Sequence, residues 1–147
     1  MNAEEFRGWL KKQLDEVARY VFKKGVLKED IQVETRWFVP QQVLLAEVWP
    51  KHNAEASHYW VITGGVPTDH ISLKQASSPR EAVRHFCLRW QLQGARIRTA
   101  DDGAAGDRPK GRIDWTAIAD GLADKAEYLY ALTEDDRYWK PLPVNRA

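Results

Sequence analysis

The sequence holds a single cysteine, Cys87, so no internal disulfide can form and a reducing compartment is the expected setting. No stretch approaches the roughly 18 consecutive apolar residues of a membrane span, and mean hydropathy is -0.57, so no membrane partner is expected. No basic start followed by an apolar run precedes the first charged helix, so no secretory leader is expected and the cytoplasm is the expected location. Excess charge of either sign is lacking as well: 22 Lys and Arg meet 21 Asp and Glu, netting +1. Without a basic footprint, nucleic acid is a disfavoured partner. His52, His58, His70 and His85 fall into no HExxH or CxxC-type spacing, no GxSxG elbow is present, and Gly106 to Gly111 lacks the ending of a phosphate-binding loop. Neither a metal nor a cofactor is therefore expected.

What is present suits one core. At 147 residues, of which 44% are hydrophobic, a single domain over 1–147 is expected. Such a chain buries about 68 to 70% of its unfolded surface. Seven tryptophans, five tyrosines and four phenylalanines strengthen this, since each buried ring removes about 150 to 250 Å² from water.

Asn2 followed by Glu5 is a capping-box pattern. Phe6, Trp9, Leu10, Leu14, Val17, Ala18 and Val21 then recur at helical spacing, so a helix is predicted over 3–24, ending at Gly25. From Ile31 the residues become β-branched and aromatic, predicting strands over 32–38 and 42–49 with a turn at Pro40. In the first, Glu34, Arg36 and Phe38 alternate with Val33, Thr35 and Trp37, giving one wetter face. The second is apolar on both sides except at Glu47 and should be central. His58 to Thr63 predicts a third strand ending at Gly64 and Gly65, and Ile71 to Leu73 a short fourth.

Ser78, Pro79 and Glu81 open a second helix whose apolar face is Val83, Phe86, Cys87 and Trp90 and whose predicted end is Gly94. Residues 94–112, with four glycines, a proline and Ile97 as the one large apolar side chain, predict a flexible loop. Asp114 caps a third helix with a predicted buried stripe of Trp115, Ile118, Ala119, Leu122, Ala126 and Leu129. Thr133 with Asp136 predicts a last short one. The order of elements predicts an α+β fold: a mainly antiparallel sheet of three or four strands packed by an N-terminal helix and two C-terminal helices.

Two places carry functional expectations. At the corner after the third strand, Thr68, Asp69 and His70 either form an Asx-type turn or line a cleft beside Arg80 that would take a small anionic ligand. On the second helix, Leu88 and Leu92 form a second apolar strip, either covered by the last helix or left as an interface. Asp120, Asp124 and Glu127 share the outward side of the third helix and count with Leu88 and Leu92 as candidate interface residues. Residues 74–112 net +5 and residues 113–147 net -3, which either pair with each other or steer a charged partner. Cys87, on the apolar side of its helix, is expected to be an inert core thiol.

The run Trp60 to Ser72, with Ser78-Pro79-Arg80-Glu81-Ala82 and Trp90 after it, Trp37-Phe38-Val39-Pro40 before it and Leu132 to Trp139 at the end, closely resembles the bacterial domain-of-unknown-function family 4826. The resemblance runs from about Phe6 to Trp139. The chain departs from the family pattern at Gly65, usually acidic, and at His70, usually tyrosine, which weighs against catalysis at those positions; the 94–112 segment is particular to this chain. The resemblance implies a single cytosolic bacterial domain and supplies no function. The leading expectation is a non-enzymatic protein that binds another protein, as an adaptor or immunity protein does. The alternative is a small-molecule binding protein or enzyme at the Pro67 to Asp69 turn and Arg80. RNA binding through Arg80, Arg84, Arg96, Arg98, Arg108 and Lys110 ranks third.

Overall fold

A computed structural model describes residues 2–103 and 113–140. The element order is α1 (Ala3–Lys24), β1 (Ile31–Val39), β2 (Val43–Pro50), β3 (Tyr59–Gly64), β4 (Asp69–Ser72), a 3-10 turn (Leu73–Gln75), α2 (Pro79–Gly103), α3 (Trp115–Thr133) and a 3-10 helix (Asp136–Trp139). The four strands form one antiparallel sheet in the order β1-β2-β3-β4. The fold is α+β. Two compact units divide the chain, one ending at Val83 and the other starting at Arg84.

In the first unit, α1 starts where the sequence places it, the Asn2 side chain accepting the Glu5 amide at 2.8 Å. It ends at Gly25, whose φ of 69° is the left-handed conformation glycine adopts without strain. Val17 and Val21 pack on Leu44, Ala46, Val48 and Val61, with Trp9, Leu10, Leu14 and Phe38 half-buried around them. β2 is buried on both faces, as its composition requires, with Glu47 and Trp49 half-buried.

β1 departs from strict alternation. Thr35 faces Ala46 and Trp37 faces Leu45, so Arg36 is an extra residue in a β-bulge. The bulge moves Phe38 off the face of Glu34 and onto the α1 side, where its ring lies 5.3 Å from that of Phe6 and 6.4 Å from that of Trp9. β4 starts two residues before its expected position, at Asp69.

α2 begins at Pro79, the Glu81 amide donating to the Ser78 hydroxyl at 3.2 Å. The Glu81 carboxylate reaches back one residue further than a capping box predicts, accepting from the amide and hydroxyl of Ser77. Val83, Phe86, Cys87 and Trp90 are buried as expected.

Gly94 does not end this helix, which continues to Gly103. The predicted loop over 94–112 is thus corrected for its first ten residues, and residues 104–112 lie outside the described residues. The glycine has a packing role instead. A Cβ at position 94 would stand 3.3 Å from the Ala119 carbonyl oxygen and 3.8 Å from the Leu122 Cβ. The smallest residue thereby lets α2 and α3 approach closely.

In α3, Asp114 caps the first turn, accepting the Ala117 amide at 2.9 Å. Ala119, Ala126, Leu129, Leu132 and Thr133 are buried, whereas Ile118 is 43% exposed. One residue turns a helix by about 100°, which carries Ile118 off the row through Ala119. Thr133 does not cap the final helix; its hydroxyl donates to the Tyr130 carbonyl within α3. Asp135 takes the cap, accepting the Arg137 amide at 3.1 Å. The Arg137 guanidinium holds its carboxyl down to about 2.

Gly94→Leu should lower stability by about 1 to 3 kcal/mol, the usual cost of overpacking a tight contact, measured by urea denaturation. A variant as stable as the parent would refute the close-approach role.

Candidate functional site

The corner after β3 is built by glycine. Gly64 has φ 124°, and a Cβ there would lie 2.7 Å from the Gln42 carbonyl oxygen. That same oxygen accepts the Gly65 amide at 2.8 Å. Beyond the turn, the hydroxyls of Thr63 and Thr68 are 2.8 Å apart. Asp69 Oδ1 accepts the amide of the next residue, His70, at 2.8 Å, whereas an Asx turn bonds two residues on.

In the β3–β4 register Asp69 faces Ile62 and His70 faces Val61. Successive strand residues leave on opposite faces. His70 therefore goes to the α1 side, where its Nδ1 lies 2.8 Å from the Tyr20 hydroxyl. Its ring lies 5.6 Å from that of Tyr20 and 6.0 Å from that of Tyr59. Asp69 goes to the other side. Arg80 is half-buried in the first turn of α2 and is engaged within the chain. The strand thus separates Asp69 from His70 rather than gathering them. Tyr20, the partner of His70, was hidden from sequence reasoning by a separation of fifty residues.

The second unit holds a helical pair. Arg84 approaches Glu134 at 3.8 Å, Cys87 Sγ donates to the Ala126 carbonyl at 3.0 Å, and Arg98 pairs with Asp120. Rising numbers on α2 meet falling numbers on α3, so the helices run antiparallel. Two pairs join the basic 74–112 stretch to the acidic one after it, which is the local pairing that charge segregation suggested. Burial pushes the Cys87 thiol up, and a nearby backbone hydrogen bond opposes that only in part. Burial likewise raises Tyr128, with Tyr138 adding to it.

Among the described residues nothing supplies the expected cover over the second apolar strip of α2: Leu88 is 60% and Leu92 57% exposed. Beside them an open groove of about 590 Å³ is lined by Gln91, Gly94 and Arg98 of α2 and by Ala123, Glu127 and Tyr130 of α3. Asp120, Asp124 and Glu127 are all exposed, Asp120 held by Arg98 and Glu127 on the groove. Tyr130, 54% exposed, was not singled out from the sequence. Its signal was there, since it lies off the buried row through Ala126 and Leu129.

The chain belongs to DUF4826, a domain of unknown function, whose family model matches residues 4–139. No curated protein and no solved structure matches it. Among the described residues no helix is long and apolar enough to cross a membrane.

Tyr20→Phe should remove the bond to His70 and lower stability by about 0.5 to 1.5 kcal/mol in chemical denaturation; an unchanged midpoint would remove that bond from the account of the corner. Cys87 should resist an aromatic disulfide reagent in the native chain and react fully in denaturant. Rapid native labelling would contradict its burial.

Proposed function

We propose that this chain is a non-enzymatic protein-binding domain, in the manner of an adaptor or a toxin-neutralising immunity protein, with the outer face of the α2–α3 pair as its docking surface. The observation that carries this reading is the exposure of Leu88 and Leu92, 60% and 57%, one turn apart on a helix whose opposite residues Phe86, Cys87 and Trp90 are almost wholly buried. Leu88 and Leu92 are neighbours by helical spacing. They supply exposed apolar contact area, and Tyr130 in the groove lining adds a ring and a hydroxyl, a composition enriched at interface cores.

Several observations weigh against a ligand site at the corner after β3. The Thr68 hydroxyl, the Asp69 carboxylate and the His70 ring each engage a partner within the chain. None of the seven tryptophans is exposed, three being buried and four half-buried, so the indoles serve the core rather than an open hollow.

A photoreactive residue placed at 88 or 92 and activated in cells that make the chain should give one discrete adduct with another protein. A probe at Lys12, on the exposed side of α1, should not give it, and Leu92→Ser should abolish the adduct formed from position 88. Equal adducts from all three positions, or none from 88 and 92, would overturn the reading.

A further inference from the structure

The loop of residues 51–58 between β2 and β3 carries a cluster that belongs to neither place described above. The His58 ring lies flat on Trp49, centroids 4.8 Å apart and planes 9° from parallel. Its Nδ1 is 2.5 Å from Glu47 Oε2 and its Nε2 is 2.7 Å from the Ala54 carbonyl oxygen. The second carboxylate oxygen, Oε1, accepts from Arg36 Nε at 3.0 Å, and Arg36 also pairs with Glu34 at 2.8 Å.

Both partners of the ring are acceptors. A carbonyl oxygen carries no proton, and the Glu47 carboxylate already accepts from the Arg36 guanidinium through its other oxygen. A neutral imidazole has one N–H and can serve one of them; only the imidazolium, with two, serves both. We propose that His58 is held as the imidazolium and acts as a proton-operated clamp, fastening the loop at Ala54 to the carboxylate of Glu47 on the sheet.

The charged groups around the ring are Glu47 from β2 and, from β1, Arg36 with Glu34 behind it. Glu47 favours the proton and Arg36 opposes it. The face of Trp49 adds a cation–π contact. Burial draws the His58 pKa down, but the bonds to the Ala54 carbonyl and the Glu47 carboxylate outweigh it and raise the value above the usual 6.5.

When the proton leaves, Nδ1 keeps its hydrogen toward the carboxylate and Nε2 loses its own, so the Ala54 carbonyl is the contact released. A histidine whose folded value lies above its unfolded one contributes stability in full below the unfolded value, and that contribution is lost as pH rises through the folded value. The clamp is therefore closed in mild acid and opens toward alkaline pH.

The test is a nitrogen-15 titration of the imidazole rings in the full chain, with His58 assigned by its loss in His58→Gln, alongside amide hydrogen exchange. Both His58 ring nitrogens should be protonated below a midpoint that lies above the midpoint of the same residue in the urea-unfolded chain. Above that midpoint the amides of residues 54–58 should exchange faster, with the strands unchanged. Glu47→Gln should move the midpoint down. A midpoint at or below the unfolded one, a single protonated nitrogen in mild acid, or loop exchange that ignores the titration would each overturn the proposal.

Discussion

The first unit depends on the burial of β2. Val43, Leu44, Leu45, Ala46 and Val48 are all 0% exposed, so this strand meets water on neither face. The free energy at stake is large, since burying one such branched side chain contributes about 1.5 to 3 kcal/mol. It is available only if each buried amide and carbonyl is paired. β1 and β3 pair both edges, over eight residue pairs on one side and six on the other. α1 then has a determined place, because Leu44, Ala46, Val48 and Val61 present one apolar face and Val17 and Val21 meet it.

Once both faces of the central strand are apolar, polar groups are confined to the margins. Glu34 and Glu47 stand directly opposite each other, a like-charge pair that destabilises a sheet on its own. The bulge at Arg36 answers this in two ways. It brings a guanidinium onto both carboxylates, and it shifts the register so that Phe38 faces the rings of Phe6 and Trp9 instead of the carboxylates. One inserted residue thus settles an electrostatic conflict and a packing requirement together. The same carboxylate of Glu47 is then available to His58 across the next strand pair.

The elements legible in the sequence were those fixed by local rules. Asn2 and Gly25 bound α1 because capping and left-handed termination involve neighbours only, and the doubly apolar run from Val43 marked the central strand. The misread features depend on partners far along the chain. Gly94 resembles a helix stop until the Ala119 backbone is seen beside it. Phe38 resembles an outward residue until the bulge is placed, and His70 joins Thr68 and Asp69 as a candidate ligand-binding group only while its pairing with Val61 and its bond to Tyr20 are unknown. At the candidate docking face, Leu88 and Leu92 were legible as a strip, but whether anything covered them was a tertiary question.

That strip bears on how the α2–α3 pair is stabilised. The ion pairs Arg84–Glu134 and Arg98–Asp120 stand at its two ends, with side chains roughly half exposed, and pairs so hydrated contribute little to stability. The helices are held instead by the buried row of Cys87, Ala126 and Leu129 and by the close approach at Gly94. Leu88, Leu92 and Tyr130 take no part in that row. On the proposed reading these three are the apolar part of the docking face and the two ion pairs its charged ends, the arrangement in which a partner gains most by excluding water from the middle of a contact. The residues that hold the two helices together and the residues of the proposed docking face are therefore different ones.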